Sequence, residues 1–213
     1  MAGTTGTRRT PAARLQVPAR GPVLACYAAL LALWPSWGGA QTRDQYCGRG
    51  AAGFDRPLQV AHSDRYLNST YGYSLSIPSG WNAYTSHNGP ERGIVLTRPG
   101  DAGAQLSVDA LYDAYYDITA AGVHRRDLNT IRLHDSVLGD EETTAALAGV
   151  PGNRFRIHVQ CSGQPTQWVH EELIVVRNRE IYRVDLQSSA EHYEEYRAGL
   201  LTLWRSWRWE PLR

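Results

Sequence analysis

Three successive runs of alternating apolar and polar residues between Asn153 and Gln187 constrain this chain more than any other feature. In Asn153–Cys161, the residues Phe155, Ile157, Val159 and Cys161 share one side, and Arg154, Arg156 and His158 share the other. Thr166–Val176 and Glu180–Gln187 follow, joined by Arg177-Asn178-Arg179, in which asparagine tolerates the positive φ of a tight hairpin. A period of two is that of a β-strand, so the segment predicts a run of paired strands.

The same signal recurs upstream. Tyr73, Leu75 and Ile77 alternate with Ser74 and Ser76 before the turn Pro78-Ser79-Gly80, and Gly93–Thr97, Ala104–Leu111 and Thr143–Leu147 also read as strands. Two blocks have helical spacing instead. From Tyr115 to His134, Ile118, Ala121, Leu128 and Ile131 form an apolar stripe, with Asp117 placed to cap the start and Gly122 placed to break the helix in two. Near the C-terminus, Ser188 and Glu191 have the spacing of a capping box, and Tyr193, Tyr196, Leu200, Leu203 and Trp207 recur at three or four. Strands in succession with two helical blocks predict an α+β fold: a central antiparallel β-sheet sandwiched by helices. The indoles of Trp204, Trp207 and Trp209 are expected to cap the core where the last helix ends.

The N-terminus reads as an export signal. Residues 1–40 carry Arg8, Arg9, Arg14 and Arg20 and no acid, then a twelve-residue apolar run from Val23 to Trp34, then the small residues Gly38 and Ala40. The run is shorter than the ~20 apolar residues of a membrane span. Cleavage is expected between Ala40 and Gln41, leaving no stable membrane anchor. Most of the apolar run follows Cys26 instead of preceding it, so lipidation there is not expected, and Thr10-Pro11 after Arg8-Arg9 does not suit a twin-arginine signal. The rest divides into an irregular lead-in over residues 41–64 and one globular domain over residues 65–213.

Removing the four N-terminal arginines turns the net charge of +1 into −3, which gives no reason to expect a nucleic-acid partner. Every basic residue is arginine, so Schiff-base, phosphate-loop and Ser-Lys chemistries that need lysine have no anchor. Cys47 and Cys161 remain as an even pair in an oxidising compartment and form a disulfide candidate, the alternative being two unpaired thiols.

Four stretches occur in a recognisable order: Tyr71-Gly72-Tyr73-Ser74-Leu75-Ser76-Ile77-Pro78-Ser79-Gly80-Trp81, then Leu147-Ala148-Gly149-Val150-Pro151-Gly152, then Ile181-Tyr182-Arg183-Val184 before the terminal helix, and Ser206-Trp207-Arg208-Trp209. From Tyr66 to Trp209 the chain resembles the PsbP-like family, whose fold is shared by the extrinsic PsbP proteins of photosystem II, a nuclear Ran-release factor and exported bacterial proteins. The resemblance implies a sheet between helical layers and a role in binding or assembly rather than catalysis. It carries over no functional residue, no Ran-binding motif and no photosystem-docking motif.

Weighed for chemistry, His124-Arg125-Arg126-Asp127 lacks the spacing and companion motifs of a kinase catalytic loop, and it reads as a solvated basic helix face. Asp109, Asp113 and Asp117 would align for a cation only on one helix, whereas Asp109 falls on a strand. His170-Glu171-Glu172 lacks a second histidine for zinc and is expected at the surface, His170 and Glu171 on opposite faces. Arg154, Arg156 and His158 could wall an anionic-ligand groove. Asn68-Ser69-Thr70 is a glycosylation sequon that would matter only in a eukaryotic host. No Gly-x-Ser-x-Gly elbow is present. The expectation is an exported, periplasmic or secreted, cell-envelope binding or assembly-support module with an envelope protein partner and no catalytic, cofactor or metal site; the alternatives are a small-ligand carrier or a small enzyme.

Overall fold

Seven strands form one antiparallel sheet: β3 (Asn82–Thr85), β4 (Gly93–Arg98), β5 (Asp101–Tyr112), β6 (Ser136–Leu147), β7 (Val150–Gln160), β8 (Gln167–Arg177) and β9 (Glu180–Ser189). Their spatial order is β3-β4-β5-β9-β8-β7-β6. A smaller sheet pairs β1 (Arg65–Asn68) with β2 (Tyr73–Ser76) and β2 with β10 (Arg208–Trp209). Among the described residues two helices accompany them, α1 (Ala120–Arg132) between β5 and β6, and α2 (Tyr193–Ser206) between β9 and β10. This computed structural model describes Cys47 and residues 64–85, 92–112 and 118–211, all within a compact unit of Gly39–Arg213. The proposed signal segment, its cut between Ala40 and Gln41, and all of the lead-in but Cys47 and Asp64 lie outside the described residues. Among the described residues no helix is long and apolar enough to cross a membrane.

Residue parity assigns each face of the large sheet to a helix. Tyr182, Val184 and Leu186 of β9 and Val169, Leu173 and Val175 of β8 join one core with Tyr193, Tyr196, Leu200 and Leu203 of α2. The alternate residues Ile181 and Ile174, with Phe155 of β7, pack on Ala120 and Val123 of α1. Ile157, Val159 and Trp168 continue that side toward Leu128, Ile131 and the cysteines. Internal strands covered on both sides therefore carry apolar residues at both parities.

The turns follow backbone chemistry. Arg177 pairs with Glu180 across Asn178 (φ 52°) and Arg179 (φ 67°), and Leu147 pairs with Val150 across Ala148 (φ 45°) and Gly149 (φ 83°). Two left-handed central residues make the tight hairpin whose twist suits the flanking strands. At Gly93 a Cβ would stand 1.9 Å from the Val108 carbonyl oxygen, so only glycine lets β4 approach β5 there.

Several expectations are corrected. Thr119, not Asp117, caps α1, its hydroxyl accepting from the Gly122 amide at 3.0 Å. Gly122 leaves the helix unbroken because it lies in the first turn, where that cap holds its amide. The Ser188–Glu191 capping box does not form: Ser188 stays in β9, paired with Val169, and the helix starts after His192. Sheet pairing of a fully buried residue prevails over a local cap. Trp207 is fully buried, stacked on Tyr73 at 4.4 Å between ring centroids, and Trp209 packs partly buried against the same core.

Candidate functional site

The α1 side of the large sheet is not wholly apolar. Glu172 on β8 lies opposite Asp185 on β9, both on the face that α1 covers. From α1, His124 and Asp127 reach the same layer, since residues three apart project from one side of a helix. His124 sets its Nδ1 2.7 Å from Glu172 Oε1 and its Nε2 2.9 Å from Asp140 Oδ1 of β6, with its ring stacked on Phe155 at 3.8 Å. Arg183 of β9 completes the set: its Nε is 3.4 Å from Glu172 Oε2, and its Nη2 donates to Asp127 Oδ2. Ser107 Oγ of β5 donates to Asp185 Oδ2 at 3.5 Å.

The electrostatics divide this network into charged and neutral parts. Burial works against ionised Glu172, but the Arg183 charge and the His124 hydrogen bond outweigh it and hold its pKa below the ordinary value. Burial also works against the imidazolium of His124, and the hydrogen bonds and charges of Glu172 and Asp140 together outweigh it, raising its pKa. Burial raises Asp127 despite the Arg183 charge. Asp185 is pushed up to about 8 by burial, with Glu172 adding repulsion, so it holds its proton at neutral pH. The arrangement is a histidine–carboxylate–guanidinium chain beside a neutral carboxylic acid under a helix.

His170-Glu171-Glu172 is therefore not a surface group. The three residues are 2%, 0% and 5% exposed, because β8 is internal and helices cover both faces. Alternation does separate them. His170 and Glu172 face α1, whereas Glu171 faces α2, where Arg197 Nε lies at 3.0 Å, Arg154 Nε at 2.5 Å, and the Tyr193 hydroxyl donates to it. Burial, followed by the hydrogen bond to Glu171, pushes Tyr193 up to about 12.

The three residues of the expected anionic groove share one face of β7. Arg154 is paired with buried Glu171, and Arg156 lies 3.4 Å from Glu141 with its guanidinium over the Tyr193 ring. His158 stands across from Gly139 at the β6 bulge. Both arginines thus already face acids of this chain. Cys47 and Cys161 are joined in a disulfide with Cα atoms 5.9 Å apart. An open cleft of about 580 Å³ lies beside it, lined by His134, Asp135, Gln160 and residues 162–165.

Of the remaining motifs, His124 and Asp127 point into the ionic network while Arg125 and Arg126 stay exposed. Asp109 pairs with Arg92 at 2.7 Å, and Asp113 and Asp117 lie outside the described residues. Asn68 of the sequon is buried, its amide donating to the hydroxyls of Tyr66 and Tyr73 and accepting from the Tyr71 amide. Sequence reasoning missed Asp140, Asp185 and Arg183 as a group. Strand parity held the usable signal: Arg183 and Asp185 alternate with Val184 and Leu186, in a strand that the structure makes internal.

The chain has the PsbP-like fold. It is similar to the solution structure of cyanobacterial PsbP (CyanoP) from Synechocystis sp. PCC 6803, with a TM-score of 0.50 and 16% identity over 75% of this chain and 99% of that one. A weaker likeness, at a TM-score of 0.46 and 15% identity over 73% of this chain and 90% of the other, is to LpqN, a protein involved in cell envelope biogenesis of Mycobacterium tuberculosis. No protein-family model matches the sequence, and no curated protein matches it.

Proposed function

Proceeding from the PsbP-like fold, we propose that this chain is an exported binding or assembly-support module of the cell envelope, in which the large sheet lies between two helical layers and the outer surface meets a protein partner. The observation that carries this reading is where the ionisable groups sit. Glu171, Glu172 and His124 are buried and engaged with one another or with arginines of the same chain, and buried Asp185 accepts from Ser107, so they hold the layers together and leave recognition to the exterior. The disulfide supports the export half of the reading, because such bonds persist in the periplasm and outside the cell. So does the basic, apolar, small-residue order of residues 1–40.

In-cell crosslinking of a C-terminally tagged chain, with mass spectrometry of what accompanies it, tests the module. A single saturable envelope protein is the expected result, and no partner above a misfolded control overturns it. An intact mass of the exported protein is expected to begin at Gln41, and retention of Met1–Ala40 would remove the export reading.

A further inference from the structure

We infer that β6 is the docking edge of this module and that its occupant is an extended, basic segment of a protein partner, added to the large sheet as an eighth strand. The inference rests on the binding-module reading and names the surface and the partner chemistry. β6 is the terminal strand of the sheet, and among the described residues only β7 pairs with it. Every second residue of an edge strand turns its N–H and C=O outward, which is a template for another chain.

Edge strands are ordinarily shortened, bulged, interrupted by proline or covered. The opposite edge, β3, has four residues. By contrast β6 has twelve, contains no proline, and confines its irregularity to Val137–Gly139. From Asp140 to Leu147 it runs in unbroken register with β7, Asp140 opposite Ile157 and Leu147 opposite Val150. Asp140 to Thr144 are five consecutive exposed residues, so solvent reaches both faces of the strand at its centre. Leu138, 54% exposed, adds an apolar contact at the bulged end.

Charge selects the occupant. Asp140, which holds His124, is followed directly by the exposed Glu141 and Glu142, and Ser136–Leu147 contains no basic residue. The Glu141 side chain is 62% exposed despite its contact with Arg156. A second copy of this chain, paired antiparallel about the Glu141–Glu142 centre, would set acids directly against acids, which is destabilising across a strand pair. A strand with arginine or lysine alternating with β-branched residues meets the same positions with opposite charge while its backbone supplies the hydrogen bonds of β-augmentation.

The test uses the disulfide-intact full chain and a peptide of roughly ten residues, the usual strand scale, alternating arginine and valine. Controls are the glutamate–valine peptide and an arginine–valine peptide N-methylated at alternate residues. Amide hydrogen exchange read by NMR is expected to slow about tenfold at every second position between Asp140 and Leu147 with the first peptide only. Affinity is expected to fall several-fold from about 50 to about 300 mM salt. Equal binding by the N-methylated peptide, protection elsewhere, or no protection overturns the proposal. The E141K/E142K variant, altered only at exposed side chains, should reverse the preference toward the glutamate–valine peptide. If that variant still captures the envelope partner as wild type does, the edge is refuted and the module reading stands. If wild type captures no partner while the peptide still protects β6, the envelope reading falls and the strand site remains.

Discussion

Replacing Asp185 by asparagine removes a buried acid while keeping its shape and its capacity to hydrogen-bond Ser107. The side chain is 5% exposed and its pKa is pushed from an ordinary 3.8 to about 8, first by burial and then by the Glu172 charge. Since the native state binds the proton more tightly than the unfolded chain, the group's contribution is complete below the ordinary carboxylate pKa and is lost as pH rises through about 8. At ~1.4 kcal/mol per unit, the loss reaches ~4 kcal/mol by neutral pH and ~6 kcal/mol above the native pKa. The D185N variant carries no such penalty. Urea unfolding should therefore show D185N near wild type at about pH 4 and more stable by at least ~2 kcal/mol at about pH 8.5, with unchanged m-values. Glu172, whose pKa is lowered, and Asp127, whose pKa is raised, titrate in both proteins, so the difference isolates Asp185. A difference that does not change with pH, or that shrinks as pH rises, would refute the assignment of a proton to this acid.

Glu172→Gln should destabilise the fold by about 3–5 kcal/mol at neutral pH, because it leaves buried His124 and Arg183 facing each other without the intervening carboxylate; the His124 titration followed by NMR should drop below its wild-type midpoint. Serine at both Cys47 and Cys161 frees a span of 114 positions and should cost about 4–5 kcal/mol in chemical unfolding under oxidising conditions. Trp207→Ala opens a cavity against Tyr73 and Tyr182 and should cost about 3–5 kcal/mol, read as a lower midpoint. Adding a methyl at Gly93 should lower thermal stability more than the same change at Gly122, where the Cβ meets only the Thr119 hydroxyl oxygen at 3.2 Å.

The long alternating strands were legible because their two parities meet two different environments. β7 presents Phe155, Ile157 and Val159 to α1, and Arg154, Arg156 and His158 to the other side, so a period of two survives in the sequence. The stripe of α2 was legible for the same reason, as Tyr193, Tyr196, Leu200 and Leu203 all reach one core. The first half of β6 was not, since solvent bathes both faces from Asp140 to Thr144 and no alternation is imposed on the residues there. β1, β3 and β10 were missed because two to four residues are too few to display a period.

By itself, then, the sequence determined the local terms: the alternating runs, the helical stripes, the hairpin at Asn178, and Cys47 and Cys161 as a candidate pair. Only the tertiary structure decided what depends on neighbours distant along the chain. It brought Cys47 to Cys161, moved Ser188 from a helix cap into a strand, and turned His170-Glu171-Glu172 from a surface group into two buried ones on opposite faces. It also left β6 as an edge. Burial and charge compensation are sums over residues that strand order and helix docking bring together, and neither spacing nor composition along the chain contains that order.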